Sequence, residues 1–495
     1  MRPGMILFSV VVLFLCAGIL TPKEMLEGFS NKGMITVALL FLVSEGIRQS
    51  GTLGQVIKKL LPQGKTTVFK AQLRILPSVA FISAFLNNTP VVVIFAPIIK
   101  HWAKSVNLPA TKFLIPLSYV TILGGICTLI GTSTNLVVHG MILEAGFEGF
   151  SMFELGKVGI FIAIAGIIYI FLFSKRLLPD ARPDTAVPDE EVEEGEKLHR
   201  VEAVLGARFP GINKKLKDFN FQRHYGAEVK EIKTRNGQRF VSNLEEVVLH
   251  EGDTLVVMAD DTFIPTWGES SVFVLLTNGN EPDTTGKKKK RWFALLLLVL
   301  MIVGATVGEL PITKEMFPDI KLDMFFFVSI TTIIMAWTNL FPARKYTKYI
   351  SWDILITIAC AFAISKAMVN SGVADSVAKF IIGLSDDYGP HVLLAMVFII
   401  TNLFTELITN NAAAALAFPL ALSISAQLGV SPTPFFVVIC MAASASFSTP
   451  IGYQTNLIVQ GIGNYKFTDF VRIGLPLNII TFLISIILIP LIWNF

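Results

Sequence analysis

The chain has 495 residues, of which 53% are hydrophobic and only 16% charged, and its formal net charge is +4. Soluble domains carry a charge on about a quarter of their residues, so this composition excludes an ordinary soluble protein and predicts an all-α polytopic membrane protein. The sequence has no P-loop, no nucleophile–base set and no His/Cys ligand spacing. We therefore expect neither an enzyme nor a transition-metal site, no cofactor and no nucleic-acid partner.

Apolar segments follow one another along most of the chain and predict helices that cross a lipid bilayer, because a crossing needs about 20 apolar residues. They lie at 5–20, 34–47, 76–99, 113–142, 157–174, 292–308, 323–341, 353–370, 391–424, 433–462 and 473–493.

Two of these segments carry polar residues at their centres. Ser83–Pro90 (SAFLNNTP) lies inside 76–99 and resembles Thr405–Ala412 (TELITNNA), which lies inside 391–424. Polar backbone breaks at membrane depth are tolerated only where protein or a water-filled cavity surrounds them. We expect both segments to form re-entrant hairpins with polar tips.

Two longer segments, 113–142 and 433–462, contain a second pair of related sequences. Gly131–Gly140 (GTSTNLVVHG) resembles Gly452–Gly461 (GYQTNLIVQG). We expect each segment to be a broken helix with an unwound centre. Interrupted helices at corresponding places in two halves are the best sequence indication of a secondary transporter's binding site.

The two halves are related by a constant offset of 321 residues. Ser44–Gly51 matches Ser365–Gly372 at the offset that also relates Gly131 to Gly452. The segment at 292–308 has no counterpart, so the first repeat is expected to lack its first helix. The predicted domains are a first membrane repeat at 1–179, a linker and insert at 180–290, and a second membrane repeat at 291–495.

Basic residues predict the orientation. With the hairpins as above, the Lys- and Arg-rich loops fall on one side, which the positive-inside rule assigns to the cytoplasm. The repeats are then inverted, the insert is cytoplasmic and the C-terminus lies outside. The expected location is a bacterial inner (plasma) membrane.

The insert has the pattern of a small α+β domain with a core at about 200–262. It begins with the acidic run Asp189–Glu196, and Asn236-Gly237 predicts a hairpin turn. The apolar run Leu255–Met258 (LVVM) predicts a buried strand.

At the level of motifs, the chain resembles the divalent anion:sodium symporter family of the ion transporter superfamily. The motifs are FLNNTPVVVIFAPI, LGGICTLIGTSTNL, TELITNNAAAALAFP and TPIGYQTNLIV. The insert, at Leu216–Gly226 and Leu249–Asp253, is similar to the C-terminal regulatory domain of potassium-conductance regulators (TrkA-C or RCK-C). A subgroup of the family carries such an insert.

This resemblance implies a homodimer that works as an elevator and couples Na+ entry to uptake of a small divalent anion. The subgroup is associated with sulfate, and the insert implies a small regulatory ligand. Dicarboxylate members have Ser-Asn-Thr at both hairpin tips, whereas this chain has Asn87-Asn88-Thr89 and Thr409-Asn410-Asn411. Two alternatives stay open: a succinate- or malate-like dicarboxylate symporter, and a ligand-gated anion channel or exchanger.

The candidate site residues come from the four motifs. Asn88 and Asn410 can each donate from the amide nitrogen to an anion and offer the amide oxygen to a cation. Candidate substrate ligands are Asn87, Asn88, Thr89, Thr409, Asn410, Asn411, Thr132, Tyr453 and Gln454. By resemblance, candidate sodium ligands are Ser83, Asn87, Asn88 and Gly131 for one ion and Thr405, Ile408, Asn410 and Gly452 for the other.

Three further residues have expected roles. Asn135 and Asn456 are expected to hold the broken helices together. Glu406 is an acid within an apolar segment, for which proton coupling, cation attraction and a structural role all stay open.

Overall fold

The computed structural model describes residues 3–180, 199–206, 208–234, 238–260, 263, 267, 272–277, 288–317, 319–383 and 389–495. Most of the described residues are helical, and the strands all lie between residues 199 and 277. The predicted turn at Asn236-Gly237 and the acidic run at 189–196 lie outside the described residues.

The helices before the sheet follow the apolar segments of the sequence. They are α1 Pro3–Cys16, α2 Pro22–Glu27, α3 Lys32–Gln49, α4 Thr52–Leu60, α5 Val68–Ser83, α6 Asn88–Ser105, α7 Thr111–Gly125, α8 Ser133–Glu144 and α9 Gly156–Leu177.

The helices after the sheet are also a mixture of long and short segments. They are α11 Lys288–Gly308, α12 Pro311–Met316, α13 Met324–Trp337, α14 Tyr346–Tyr349, α15 Trp352–Asn370, α16 Val373–Gly383, α17 Gly389–Leu407, α18 Asn410–Leu428, α19 Thr433–Ser444, α20 Gln454–Gly463 and α21 Phe467–Ile492.

Seven helical stretches in the described part of the chain are long and apolar enough to cross a membrane: 22–49, 156–177, 290–308, 352–370, 389–407, 410–428 and 467–492. Their outward faces carry large apolar side chains such as Leu172 (63% exposed) and Leu491 (74% exposed). A soluble protein rarely exposes so much contiguous apolar surface, so lipid is the natural solvent for these faces. The chain is therefore a polytopic membrane protein.

The helices end at the polar motifs. Four residues separate α5 from α6, and two separate α17 from α18. The segments after α7 and α19 are longer breaks, which contain Gly131 and Gly452. The predicted interruptions therefore occur where the Asn, Thr and Gly residues stand in the apolar segments.

The described part of the insert contains a five-stranded antiparallel sheet and a short helix. Its strands β1 His199–Leu205, β2 Glu228–Lys233, β3 Arg239–Phe240, β4 Thr254–Ala259 and β5 Phe273–Thr277 have the order β3-β2-β4-β1-β5, and α10 Phe221–Tyr225 precedes β2. The predicted strand at Leu255–Met258 is part of β4. Strand β5 pairs with β1 and lies beyond the expected core at about 200–262.

The sheet contacts the membrane helices through an ion pair. Lys100, near the end of α6, lies 2.9 Å from Glu202 Oε2 on β1, and Lys233 on β2 lies 3.3 Å from Glu202 Oε1. Burial alone would raise the pKa of Glu202, but the two ammonium groups outweigh it and lower this pKa to about 2.

Close backbone packing adds a second contact. A Cβ atom at Gly252, which has φ +85°, would lie 2.6 Å from Leu457 Cδ1 on α20. The sheet therefore packs on α6 and α20, each of which begins at one of the polar motifs.

Candidate ion and substrate site

The tip between α5 and α6 holds a fully buried asparagine. One terminal atom of the Asn88 amide lies 2.8 Å from the Ser83 hydroxyl oxygen, and both residues are 0% exposed. The same amide atom lies 3.0 Å from the Thr121 carbonyl oxygen and 3.3 Å from that of Gly131. In the orientation that satisfies most hydrogen bonds this atom is the amide nitrogen, and three oxygen atoms from three separate segments surround it.

The tip between α17 and α18 has the same construction. The Thr405 hydroxyl lies 2.8 Å from Asn410 Oδ1 and 2.6 Å from the Ala443 carbonyl oxygen. One hydroxyl has one proton and can donate to only one of these oxygens at a time. The other oxygen then lies close to Thr405 Oγ1 with no hydrogen between them. A bound cation would stabilise this close pair of oxygens.

Glycine is required beside each tip. A Cβ atom at Gly452 would lie 2.4 Å from the Thr405 carbonyl oxygen and 2.1 Å from Ser446 Oγ. At Gly131 it would lie 2.5 Å from the Gly125 carbonyl oxygen. The backbone of each unwound segment therefore approaches its neighbours more closely than any other residue would permit.

Side-chain hydrogen bonds hold the unwound segments in shape. In the first, the Asn135 amide donates to the Thr128 carbonyl at 2.9 Å. In the second, the Asn456 amide donates to the Thr449 carbonyl at 3.1 Å. Each asparagine thus joins the first turn of a helix to the backbone of the unwound segment before it.

The Tyr453 hydroxyl lies where the two halves meet. It is in hydrogen-bond contact with the Asn88 amide and lies 3.0 Å from Thr132 Oγ1. The Asn410 side chain also interacts with it. Tyr453 and Thr132 are both buried, at 8% and 2% exposed.

Three further hydrogen bonds cross between the halves. Thr89 Oγ1 donates to Gln454 Oε1 at 3.3 Å. The Ser133 and Thr134 hydroxyls each donate to Asn411 Oδ1 at 3.2 Å. Each tip therefore contacts the first turn of the helix that follows the unwound segment of the other half.

Four helix N-termini meet around these contacts. The helices α6, α8, α18 and α20 begin after Asn87, Thr132, Thr409 and Tyr453, and none of these four residues caps its helix with a side-chain hydrogen bond. The first backbone N–H groups of a helix have no partner within the helix and carry the positive end of its dipole. This arrangement can bind an anion without a basic side chain.

Three predicted residues lie at the edge of this centre. Ile408 (38% exposed) and Thr409 are exposed at the second tip. Asn87 is half-buried and borders a small cavity with Val37 and Ser133. The structure therefore gathers Asn88, Thr132, Tyr453 and Asn410 at the centre and leaves these three at its margin.

Sequence reasoning missed the carbonyl of Thr121 and the hydroxyls of Thr128 and Thr449. The Thr128 hydroxyl donates to the Ala84 carbonyl, and that of Thr449 to the Glu406 carbonyl at 3.1 Å. The two threonines are 321 residues apart, so the offset could have identified them. A backbone carbonyl such as that of Thr121 has no residue-type signal.

Glu406 links three elements behind the second tip. Its Oε1 accepts from the Ser448 backbone N–H at 2.9 Å and from the Asn478 amide at 2.8 Å. Its Oε2 is buried and has no hydrogen-bond partner among the described residues. The carboxylate thus joins α17, the second unwound segment and α21.

Interrupted apolar helices whose polar ends meet in the protein interior define a membrane transporter. A family model described as citrate transporter matches residues 1–429 and, again, residues 320–494. The chain belongs to this family of transporters, and the expectation that it is not an enzyme is confirmed by that membership.

Similar proteins support this assignment. The chain is 30% identical to an uncharacterized transporter of Synechocystis sp. over 98% of this chain and 93% of that protein. It is 23% identical to a probable sodium/sulfate cotransporter 3 of Chlamydomonas reinhardtii over 96% and 84% of the two chains. Sodium/sulfate cotransporter 1 of that organism is 33% identical over 56% of this chain and 31% of its own length.

Proposed function

We propose that this protein is a sodium-coupled symporter of a small divalent oxyanion, and that this oxyanion is sulfate. The observation that carries the proposal is the meeting of two oxygen-rich asparagine tips and four uncapped helix N-termini around the Tyr453 hydroxyl. The oxygens suit a hard cation and the N–H groups suit an anion. The names of the sodium/sulfate cotransporters among its relatives agree with this pair of substrates.

Two sodium ions have separate places in this proposal. One is bound by Ser83, Asn88 and the Gly131 carbonyl, with the Thr121 carbonyl as a further ligand. The other is bound by Thr405, Asn410 and the backbone next to Gly452. The anion lies between them, where both asparagines can also donate from their amide nitrogens.

The two halves are proposed to be inverted repeats. In support, hydrogen bonds recur at equivalent positions: Gly131 N–H to Thr128 Oγ1 at 3.2 Å, and Gly452 N–H to Thr449 Oγ1 at 3.3 Å. Thr132 and Tyr453, 321 residues apart, contact each other. Equivalent residues that touch lie near an axis of approximate two-fold symmetry.

The packing of helices between the two halves follows the same approximate two-fold relation. Helix α6 packs on α20 and its counterpart α18 packs on α8, while α1 packs on α15 and α13 packs on α3. Within this scheme, α5–α6 and α17–α18 are re-entrant hairpins. They belong to a transport domain that moves like an elevator inside a homodimer.

The insert at 180–290, with its α+β fold, is proposed to be a cytoplasmic regulatory domain similar to those of potassium-conductance regulators. It binds a small ligand and acts on transport through its contacts with α6 and α20. The positive-inside rule, applied to the basic loops, supports a cytoplasmic insert and a C-terminus outside.

Uptake into proteoliposomes tests the proposal. Labelled sulfate should accumulate when an inward sodium gradient is imposed, and unlabelled sulfate and thiosulfate should compete better than succinate, malate or citrate. The citrate transporter description of the family makes carboxylates the serious alternative. Stronger competition by succinate or citrate than by sulfate would favour a carboxylate symporter, and uptake without any sodium dependence would refute sodium coupling.

A further inference from the structure

We propose that rotation of the Asn88 amide couples the sodium ion to the anion, and that the Tyr453 hydroxyl transmits its orientation. This proposal rests on the proposed function and explains how binding of the two substrates is linked. Asn88 is the residue shared by the oxygen cluster at the first tip and the contacts between the halves.

Without a cation, the oxygens at the first tip repel one another. An amide oxygen that faces the Ser83 hydroxyl and the carbonyls of Thr121 and Gly131 has only one possible donor among three neighbours. If the amide is turned by half a rotation, its nitrogen lies 2.8, 3.0 and 3.3 Å from these three groups, and its two hydrogens can donate to two of them at a time. The turned amide then satisfies more hydrogen bonds and is favoured in the absence of sodium.

Turning the amide changes the role of Tyr453. In the turned orientation Asn88 Oδ1 faces Tyr453 and accepts its hydroxyl proton. The phenol is then occupied and cannot donate to an anion. The sodium-free site therefore binds the anion with one donor fewer.

Sodium reverses this arrangement. A cation among the four oxygens attracts Asn88 Oδ1 back toward Ser83, and the amide nitrogen then donates to Tyr453 Oη. The phenol proton is released from Asn88 and can point toward Thr132, 3.0 Å away, or toward a bound anion. Sodium thus adds a donor to the anion site without moving the backbone.

The effect must be reciprocal. An anion that accepts the Tyr453 proton removes the donor that holds Asn88 in its turned orientation, so the anion strengthens sodium binding by the same factor. Coupling between linked sites is typically about 5- to 150-fold in affinity.

The central variant is Tyr453→Phe, with Tyr169→Phe as a matched control. The Tyr169 hydroxyl is also a buried donor, to the Ile473 carbonyl at 3.0 Å, but it lies between α9 and α21. Sulfate and sodium binding are measured by calorimetry on the purified full-length protein, each at zero and at saturating concentration of the other, with choline replacing sodium.

In the wild type and in Tyr169→Phe, sodium should raise sulfate affinity by at least about fivefold. In Tyr453→Phe the factor by which sodium raises sulfate affinity should fall to about 1. Sodium alone should bind as tightly as in the wild type or more tightly. Tighter binding follows because Asn88 no longer has a donor that competes for its oxygen. A merely structural role of the hydroxyl would weaken sodium binding instead.

A second variant keeps the test decisive if Tyr453→Phe does not fold. Asn88→Asp presents an oxygen in both orientations, so sodium binding should become independent of sulfate. Coupling that persists undiminished in either variant would refute the switch. A wild type in which sodium leaves sulfate binding unchanged would refute the proposed function itself.

Discussion

Lys100 is the residue whose replacement tests how the sheet is held on the membrane helices. The pKa of the Glu202 carboxyl group falls from 4.5 to about 2. A shift of this size contributes about 3 kcal/mol to the stability of the docked arrangement at neutral pH. Lys100→Gln removes one of its two partners and leaves Lys233 in place. We therefore expect the docked arrangement to lose about half of this free energy, roughly 1–2 kcal/mol.

Lys104→Gln is the control, because Lys104 lies one turn further along α6 and is exposed. Spin labels at the exposed residues His101 and Lys230 would report the distance between helix and sheet. In Lys100→Gln the ratio of undocked to docked protein should rise about 5- to 30-fold. Equal effects of the two substitutions, or none from Lys100→Gln, would refute this role of the ion pair.

The pH dependence follows from the same group. Because the folded-state pKa of Glu202 is lowered, its stabilisation is present in full above pH 4.5 and is lost as the pH falls toward 2. The docked fraction should therefore not change through titration of Glu202 between pH 8 and 5. A distance change in that range would assign the contact to another titrating group.

Two further predictions concern the tips. Asn88→Ala and Asn410→Ala should each abolish sodium-driven uptake, because each removes an amide oxygen and an amide donor. Gel filtration should show that both variants remain folded. Near-normal uptake in either variant would contradict the assignment. Gly452→Ala should displace the Thr405 carbonyl, destabilise the protein by about 1–3 kcal/mol and raise the sodium concentration for half-maximal uptake. Gly383→Ala, where a Cβ meets nothing within 4 Å, should change neither property.

The sequence was sufficient to predict where the helices break. Asn, Thr and Gly within apolar segments are tolerated only where they are enclosed, and this rule identifies the segments Ser83–Pro90 and Thr405–Ala412; the pairing of Ser83 with Asn88 and of Thr405 with Asn410 follows from the family resemblance. The buried strand β4 was predictable from its apolar run for a similar reason. These features depend on local composition.

Features that depend on distant parts of the chain were harder to predict. Tyr453 was a candidate ligand, but its contact with Asn88 depends on how two helices from different halves are rotated. The Thr121 carbonyl is backbone and has no side-chain signature. Strand β5 lies beyond the predicted core because its partner, β1, is about 70 residues earlier.

The four helix N-termini around Tyr453 have a consequence for the pH profile of transport. Backbone N–H groups, amides and hydroxyls neither gain nor lose a proton near neutral pH. The donors that would hold the anion therefore offer the same positive potential across the physiological range. A strong pH dependence in substrate affinity would then report the protonation of the substrate itself or of Glu406 behind the second tip, and a pH dependence that persists in Glu406→Gln would identify the substrate, which distinguishes a polycarboxylate from a fully ionised sulfate.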